Sequence, residues 1–159
     1  MDEYYDEITE CKDTIMNALL DNETIFKLLD NKNIEDSTDL PWTSIFPYIK
    51  IPKILDKVES YICFKVDVPS PVSEKNQYLE NLHVIVYVMS HIDHVQNDSF
   101  KGTRFDNLAA EVKKTLNNIH GKWIGDLMCV SNKEDIIEKA FPCRIMVFKT
   151  KDITGAVNV

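Results

Sequence analysis

The chain lacks most of the residue patterns that announce chemistry. Its 159 residues include 4 glycines, none in a GxGxxG or GxxxxGK frame, so neither common phosphate cradle is present. There is no GxSxG elbow, and no cysteine stands beside a histidine in a recognisable nucleophile frame. Cys11, Cys63, Cys129 and Cys143 are scattered, with no CxxC pair. That spacing argues against a zinc or disulfide framework and for buried free thiols in a reducing compartment. Long apolar runs are also missing. Val84 to Met89 is far short of the roughly 20 residues that span a bilayer. The opening MDEYYDEITE is acidic where a signal peptide would be basic and then apolar. With only 4 glycines and 6 prolines, no long low-complexity segment fits. These absences lead us to expect a cytosolic protein, neither secreted nor membrane-embedded, and not an enzyme.

Clustered positive charge is missing too. Lys and Arg number 18 against 26 Asp and Glu, a net charge of -8. Residues 1–40 hold twelve acids and three bases, whereas 41–159 hold fourteen acids and fifteen bases, so the excess is all N-terminal. Direct grip on a phosphate backbone needs the opposite. An acidic face suits a solvated surface, a basic partner or a negative channel.

What is there is a globular chain, 44% hydrophobic and 28% charged, of single-domain length. Tyr4, Ile8, Cys11, Ile15, Ala18 and Leu19 recur at three- and four-residue steps and predict a helix over 2–20. Asn22 is placed to cap a second, with Ile25, Phe26, Leu28 and Leu29 on its apolar side. Residues 41–55 read as a proline-aromatic loop. Pro41, Pro47 and Pro52 prevent a regular helix, while Trp42, Phe46 and Tyr48 need cover. Either the loop packs across the domain's own core, or it docks on a neighbouring chain. Ser60 to Val68 alternates as a strand, with Ile62, Phe64, Val66 and Val68 on one side. Tyr78 to Ser90 is apolar on both faces at its centre, which predicts a mid-sheet strand covered on both sides.

The stretch His83 to Ile119 shows the clearest change of period. A strand runs into the turn 91–102, and Thr103 and Asp106 then open an amphipathic helix striped by Phe105, Leu108, Ala109, Val112, Leu116 and Ile119. A short strand over Ile124 to Val130, an irregular link SNKEDIIEKAF and a last strand over Cys143 to Lys151 complete the order α-α-β-β-α-β-β. The fold class is α+β. We expect one two-layer domain over 1–159, with N-terminal helices in 1–30 and a sheet-and-helix core in 60–152. The sheet is expected to have about four strands, mainly antiparallel, covered by helices.

His91, Asp93 and His94 form the sharpest candidate for a metal, since two imidazoles and a carboxylate are a known ligand set. Alternation sends His94 away from the other two, and no second acidic or histidine cluster accompanies them. They read as polar turn residues, and we expect no cofactor or metal. Arg104 and Asp106, in the first helical turn, can cap locally, pair at the surface, or bridge to neighbouring elements or chains.

ESYICFKVDVP, LHVIVYVMSHIDHV and GTRFDNLAAEVKKTLNN together resemble a pattern in neck and tail-completion proteins of tailed bacteriophages. The resemblance spans 45–118 and, more weakly, Arg144 to Asp152. A strand ends in a turn containing His91, and Gly102, Thr103, Arg104, Phe105 and Asp106 start the helix. It implies a small α+β subunit of a hexameric ring at the head–tail junction. Tail terminators of this kind cap the tail tube and meet the head connector. The partners it implies are further copies of the chain, tail tube and sheath proteins and connector proteins, with DNA passing through the lumen unbound. An adaptor or stopper role is the alternative, and a small metal-dependent hydrolase a more distant one. The interface candidates are Trp42, Phe46, Tyr48, His91, Asp93, His94, Arg104 and Asp106.

Overall fold

The structure, a computed structural model, describes residues 6–52, 57–68, 82–119 and 126–150. Helix α1 (Glu7–Leu20) starts later than the expected residue 2, because the extended Asp6 caps it, its side chain accepting from the Thr9 N–H. It buries Cys11, Ile15 and Leu19, four residues apart along one stripe. Helix α2 (Glu23–Leu29) is capped by Asn22, whose side chain accepts from the Ile25 N–H as the sequence predicts. It ends at Asp30 in a left-handed conformation (φ 44°), which turns the chain sharply.

The proline-aromatic loop holds a strand that the sequence reading missed. β1 (Ile45–Phe46) pairs in parallel with β2 (Ser60–Asp67) in the register Ile45↔Ile62. Two residues give no visible alternation, so only the pairing reveals it. β3 (His83–Ser90) lies antiparallel to β2, from Ser60↔Ser90 to Asp67↔His83. The second mis-read element is β4 (Leu127–Ile137), which covers most of the expected irregular link. It forms a hairpin with β5 (Phe141–Thr150). Glu138 and Lys139, at φ 52° and 61°, make the tight turn between them. Their lack of glycine or asparagine hid it. An extra residue, Val130, sits between the pairs Cys129↔Phe148 and Ser131↔Val147 and swaps the faces of the strand beyond it. Alternation therefore breaks mid-strand, which is why the segment reads as irregular.

The described sheet has five strands in the order β1-β2-β3-β5-β4. β1–β2 is its parallel pair, so the sheet is mixed, with one strand more than expected. Helix α3 (Arg104–Asn117) lies over it together with α1 and α2. Thr103 caps α3, accepting from the Asp106 N–H at 3.1 Å. The layers meet through Ile62 and Phe64 of β2, Val84, Val86 and Val88 of β3, Met146 and Phe148 of β5, and Leu108, Val112 and Leu116 of α3, all fully buried. Each such side chain contributes on the order of 1.5–3 kcal/mol.

β3 is mid-sheet, as its composition predicts, but its second face is only half covered. Ile85 and Tyr87 remain partly exposed while Val84, Val86 and Val88 are fully buried. A smaller cluster of Phe46, Cys63, Met89, Phe141 and Cys143 closes one end of that face. The early part of the predicted first helix, the second strand's beginning at Tyr78, the strand start at Ile124, residues 53–55 of the loop and the C-terminal tail lie outside the described residues.

Candidate functional site: a polar junction at the end of the central strand

β2 begins and β3 ends with a serine, and their register places Ser60 opposite Ser90. Both are fully buried, with hydroxyl oxygens 2.8 Å apart. Asn31 follows the left-handed Asp30 and reaches the same spot. Its amide donates to the Ser60 carbonyl (2.7 Å) and to the Ser44 hydroxyl (2.8 Å), and its oxygen accepts from the Ser60 N–H (2.8 Å). One side chain thus replaces the missing strand neighbour at the start of β2 and satisfies both backbone groups.

The turn after β3 supplies the histidines. A 3-10 helix, Ile92–His94, is capped by His91, whose Nδ1 accepts from the Asp93 N–H at 3.1 Å. The His91 ring stands edge-on to Phe141, centroids 5.2 Å apart. His94 turns the other way, and its Nδ1 lies 2.8 Å from the Ser60 hydroxyl. Burial, and then the positive charge of Arg104, hold its pKa below 6.5. His94 is therefore neutral near pH 7 and completes a Ser90–Ser60–His94 chain.

Arg104 closes the junction from α3. It is buried, and its guanidinium donates to three carbonyls: Leu28 (2.7 Å), His94 (2.8 Å) and Gln96 (2.8 Å). The carboxylate of Asp30, largely exposed, lies 4.0 Å away. The five fixed donors of a guanidinium allow one side chain to hold the α2 end and the turn together. Asp106 faces β5, accepting from Arg144 at 2.6 Å, and Arg144 also donates to Asn132 on β4 (2.8 Å).

The predicted site residues therefore separate into two groups. Phe46, His91 and Arg104 are buried within the domain; of the readings left open for Arg104, the surface pair gives way to a buried bridge to neighbouring elements. His94 and Asp106 are half-buried and bonded internally. Trp42 and Tyr48 are exposed at 64% and 43%, and the Asp93 side chain reaches solvent. Of the two readings the sequence left open for the loop, packing on the domain's own core holds for Phe46, while Trp42 and Tyr48 project outward.

A hydroxyl 2.8 Å from an imidazole is a nucleophile–base geometry. Here the hydroxyl is fully buried among bonded groups and has no open approach. A depression of about 220 Å³ beside α2 is lined by Phe26, Asp30, Asn31, Ile34 and Leu40, but not by Ser60 or His94. Among the described residues, no three His, Cys, Asp or Glu side chains converge to hold a metal. Sequence reasoning missed Asn31, Ser44, Ser60, Ser90 and Arg144. The one signal available was a serine at the inner end of each of two apolar strands.

No curated protein and no solved structure matches the chain. One family model does, that of YomW, over residues 22–150. That span opens on the cap of α2 and closes on the last residue of β5, enclosing the junction and the whole described sheet. The chain belongs to the YomW family.

Proposed function

We propose that the chain is a structural ring subunit of a phage neck, tail terminator-like, and not an enzyme. It would cap the tail tube and join it to the head connector. The observation that carries this reading is a division of labour among the side chains. The groups that could do chemistry, His91, His94, Ser60 and Arg104, are spent on internal bonds. Most of the exposed large apolar groups lie instead on surfaces suited to other chains: Trp42, Tyr48 and Ile51 toward the β1 end of the sheet, Met128, Val130 and Ile136 on β4, with Val58, Ile92 and Phe100 elsewhere. A subunit that acts by contact needs that arrangement. The phage-associated family name supports a phage setting, and the resemblance of the strand–turn–helix stretch supplies the neck role.

The acidic N-terminal segment has a place in the same reading. Asp13, Asp21, Glu23, Asp30, Glu35 and Asp36 are exposed. Facing a lumen, they would repel DNA phosphates and let the genome slide. The hexamer, the tail tube, sheath and connector partners and the virion location are parts of this proposal. Native mass spectrometry and negative-stain microscopy of the purified chain, alone and mixed with phage tail tubes, test it. Six-fold rings, free or seated on tube ends, are the expected result. A monomer that ignores tail tubes would refute it.

A further inference from the structure

Six of the nine large apolar groups exposed among the described residues fall in the stretch around β1 or on β4, at opposite edges of one sheet, and the two edges are unlike. At the β1 edge, the backbone is closed by its own turn. The Trp42 N–H donates to the Ile45 carbonyl (2.9 Å), and Pro41 bridges to Ile45. Pro41, Pro47 and Pro52 remove three further donors. This edge cannot extend a sheet, so it offers side chains. Trp42 and Tyr48 form a tilted ring pair with centroids 6.0 Å apart, and exposed Lys50, the only charged residue in 41–52, holds its ammonium 4.4 Å from the Phe46 ring, next in the chain to exposed Ile51.

At the other end, β4 runs 11 residues, about twice the usual strand length, and is the terminal strand of the described sheet. Its outward N–H and C=O groups meet no strand among the described residues. Met128, Val130 and Ile136 flank it, each about half exposed. Its charges lean negative: Glu134, Asp135 and Glu138 outnumber Lys133 and Lys139 in 127–139. Four strand spacings of about 4.8 Å separate the two edges by roughly 19 Å. A copy cannot satisfy one edge with its own other edge.

We propose that the Trp42–Tyr48–Lys50 arm of one copy docks along the β4 edge of a second copy, in a head-to-tail contact. The aromatic rings cover the apolar flanks. The indole N–H and the tyrosine hydroxyl are donors that suit the outward carbonyls of β4. Lys50 meets the acidic stretch around Asp135. Because the surfaces differ, each copy keeps one of each to offer, and the contact propagates or closes into a ring. This rests on the contact-forming reading above and names its surfaces.

Charge reversal tests it. Lys50→Glu and Asp135→Lys both change exposed residues, and circular dichroism melts check that each variant folds. Sedimentation velocity at low and physiological salt should show wild-type chain associating, and each variant alone weakened about tenfold or more by the like-charge pair it creates. Mixing the two variants should restore association. In alternating copies, the glutamate introduced in one variant faces the lysine introduced in the other, and the native Lys50 and Asp135 meet at the next contact. Wild-type chain that stays monomeric at every concentration, variants that associate like wild type, or a mixture that fails to recover overturns the contact. Restored assembly that forms open chains, or that ignores tail tubes, upholds the contact and removes the neck reading instead.

Discussion

Replacing Arg104 by methionine should destabilise the fold far more than the loss of a surface arginine would. The change keeps much of the side chain's volume and removes all three donors. The bond to Leu28 is buried, and those to His94 and Gln96 are partly so. A buried carbonyl stripped of its partner costs about 1–3 kcal/mol. The two partly exposed carbonyls recover some of this from water, so the loss should total about 3 kcal/mol. With a urea m-value of about 2 kcal/mol/M for a domain of this size, the midpoint should fall by about 1.5 M. Arg104→Lys can serve one or two of the three carbonyls and should lose roughly half as much. Urea titration followed by circular dichroism in the far ultraviolet measures both. A methionine variant within about 0.5 kcal/mol of wild type, or a lysine variant equal to the methionine one, would show that the guanidinium does not clamp the turn to α2.

Stability should also drop in mild acid because of the junction. The folded state holds His94 below its ordinary 6.5 through burial and the nearby Arg104 charge. The unfolded chain therefore takes up this proton first, and stability present above pH 6.5 is lost as pH falls through the folded value. His94→Gln should flatten that part of a urea-midpoint profile between about pH 5 and 8; an unchanged slope would contradict the assignment. Thiol labelling of native protein should reach Cys129 first. Burial pushes Cys11 up to about 12 and Cys63 and Cys143 to about 11, while Cys129 is half-buried. Equal rates at all four would be inconsistent with this packing. Glu138→Asn with Lys139→Gly should raise stability by about 0.5–1 kcal/mol, since both positions have positive φ. A lowered thermal midpoint would count against that turn geometry.

Helices, caps and the central strand were legible because each leaves a local signature. Asn22 and Thr103 cap their helices where polarity meets the apolar stripe, and the run at Val84–Val88 marks mid-sheet. β1 was illegible because two residues define no period, and β4 because Val130 reverses its faces. The turn residues His91 and His94 could be named from the sequence, but not their directions. A 3-10 turn sends one ring to Phe141 and the other to Ser60.

The sequence by itself determined the α+β class, the starts of α2 and α3, the burial of most of the thiols and the acidic bias of the first 40 residues, since periodicity, capping and composition are properties of neighbours along the chain. Tertiary structure decided the rest. Asn31, Ser60, Ser90, His94 and Arg104 come from separate stretches, and only strand register and the left-handed turn at Asp30 bring them together. Burial then turns an apparent site into a junction: in a low-dielectric interior each of those polar groups must find a partner, and the partners they find are one another and the backbone. The side chains left facing outward, Trp42 and Tyr48 at one edge and Met128 and Ile136 at the other, are exposed because the described sheet ends there.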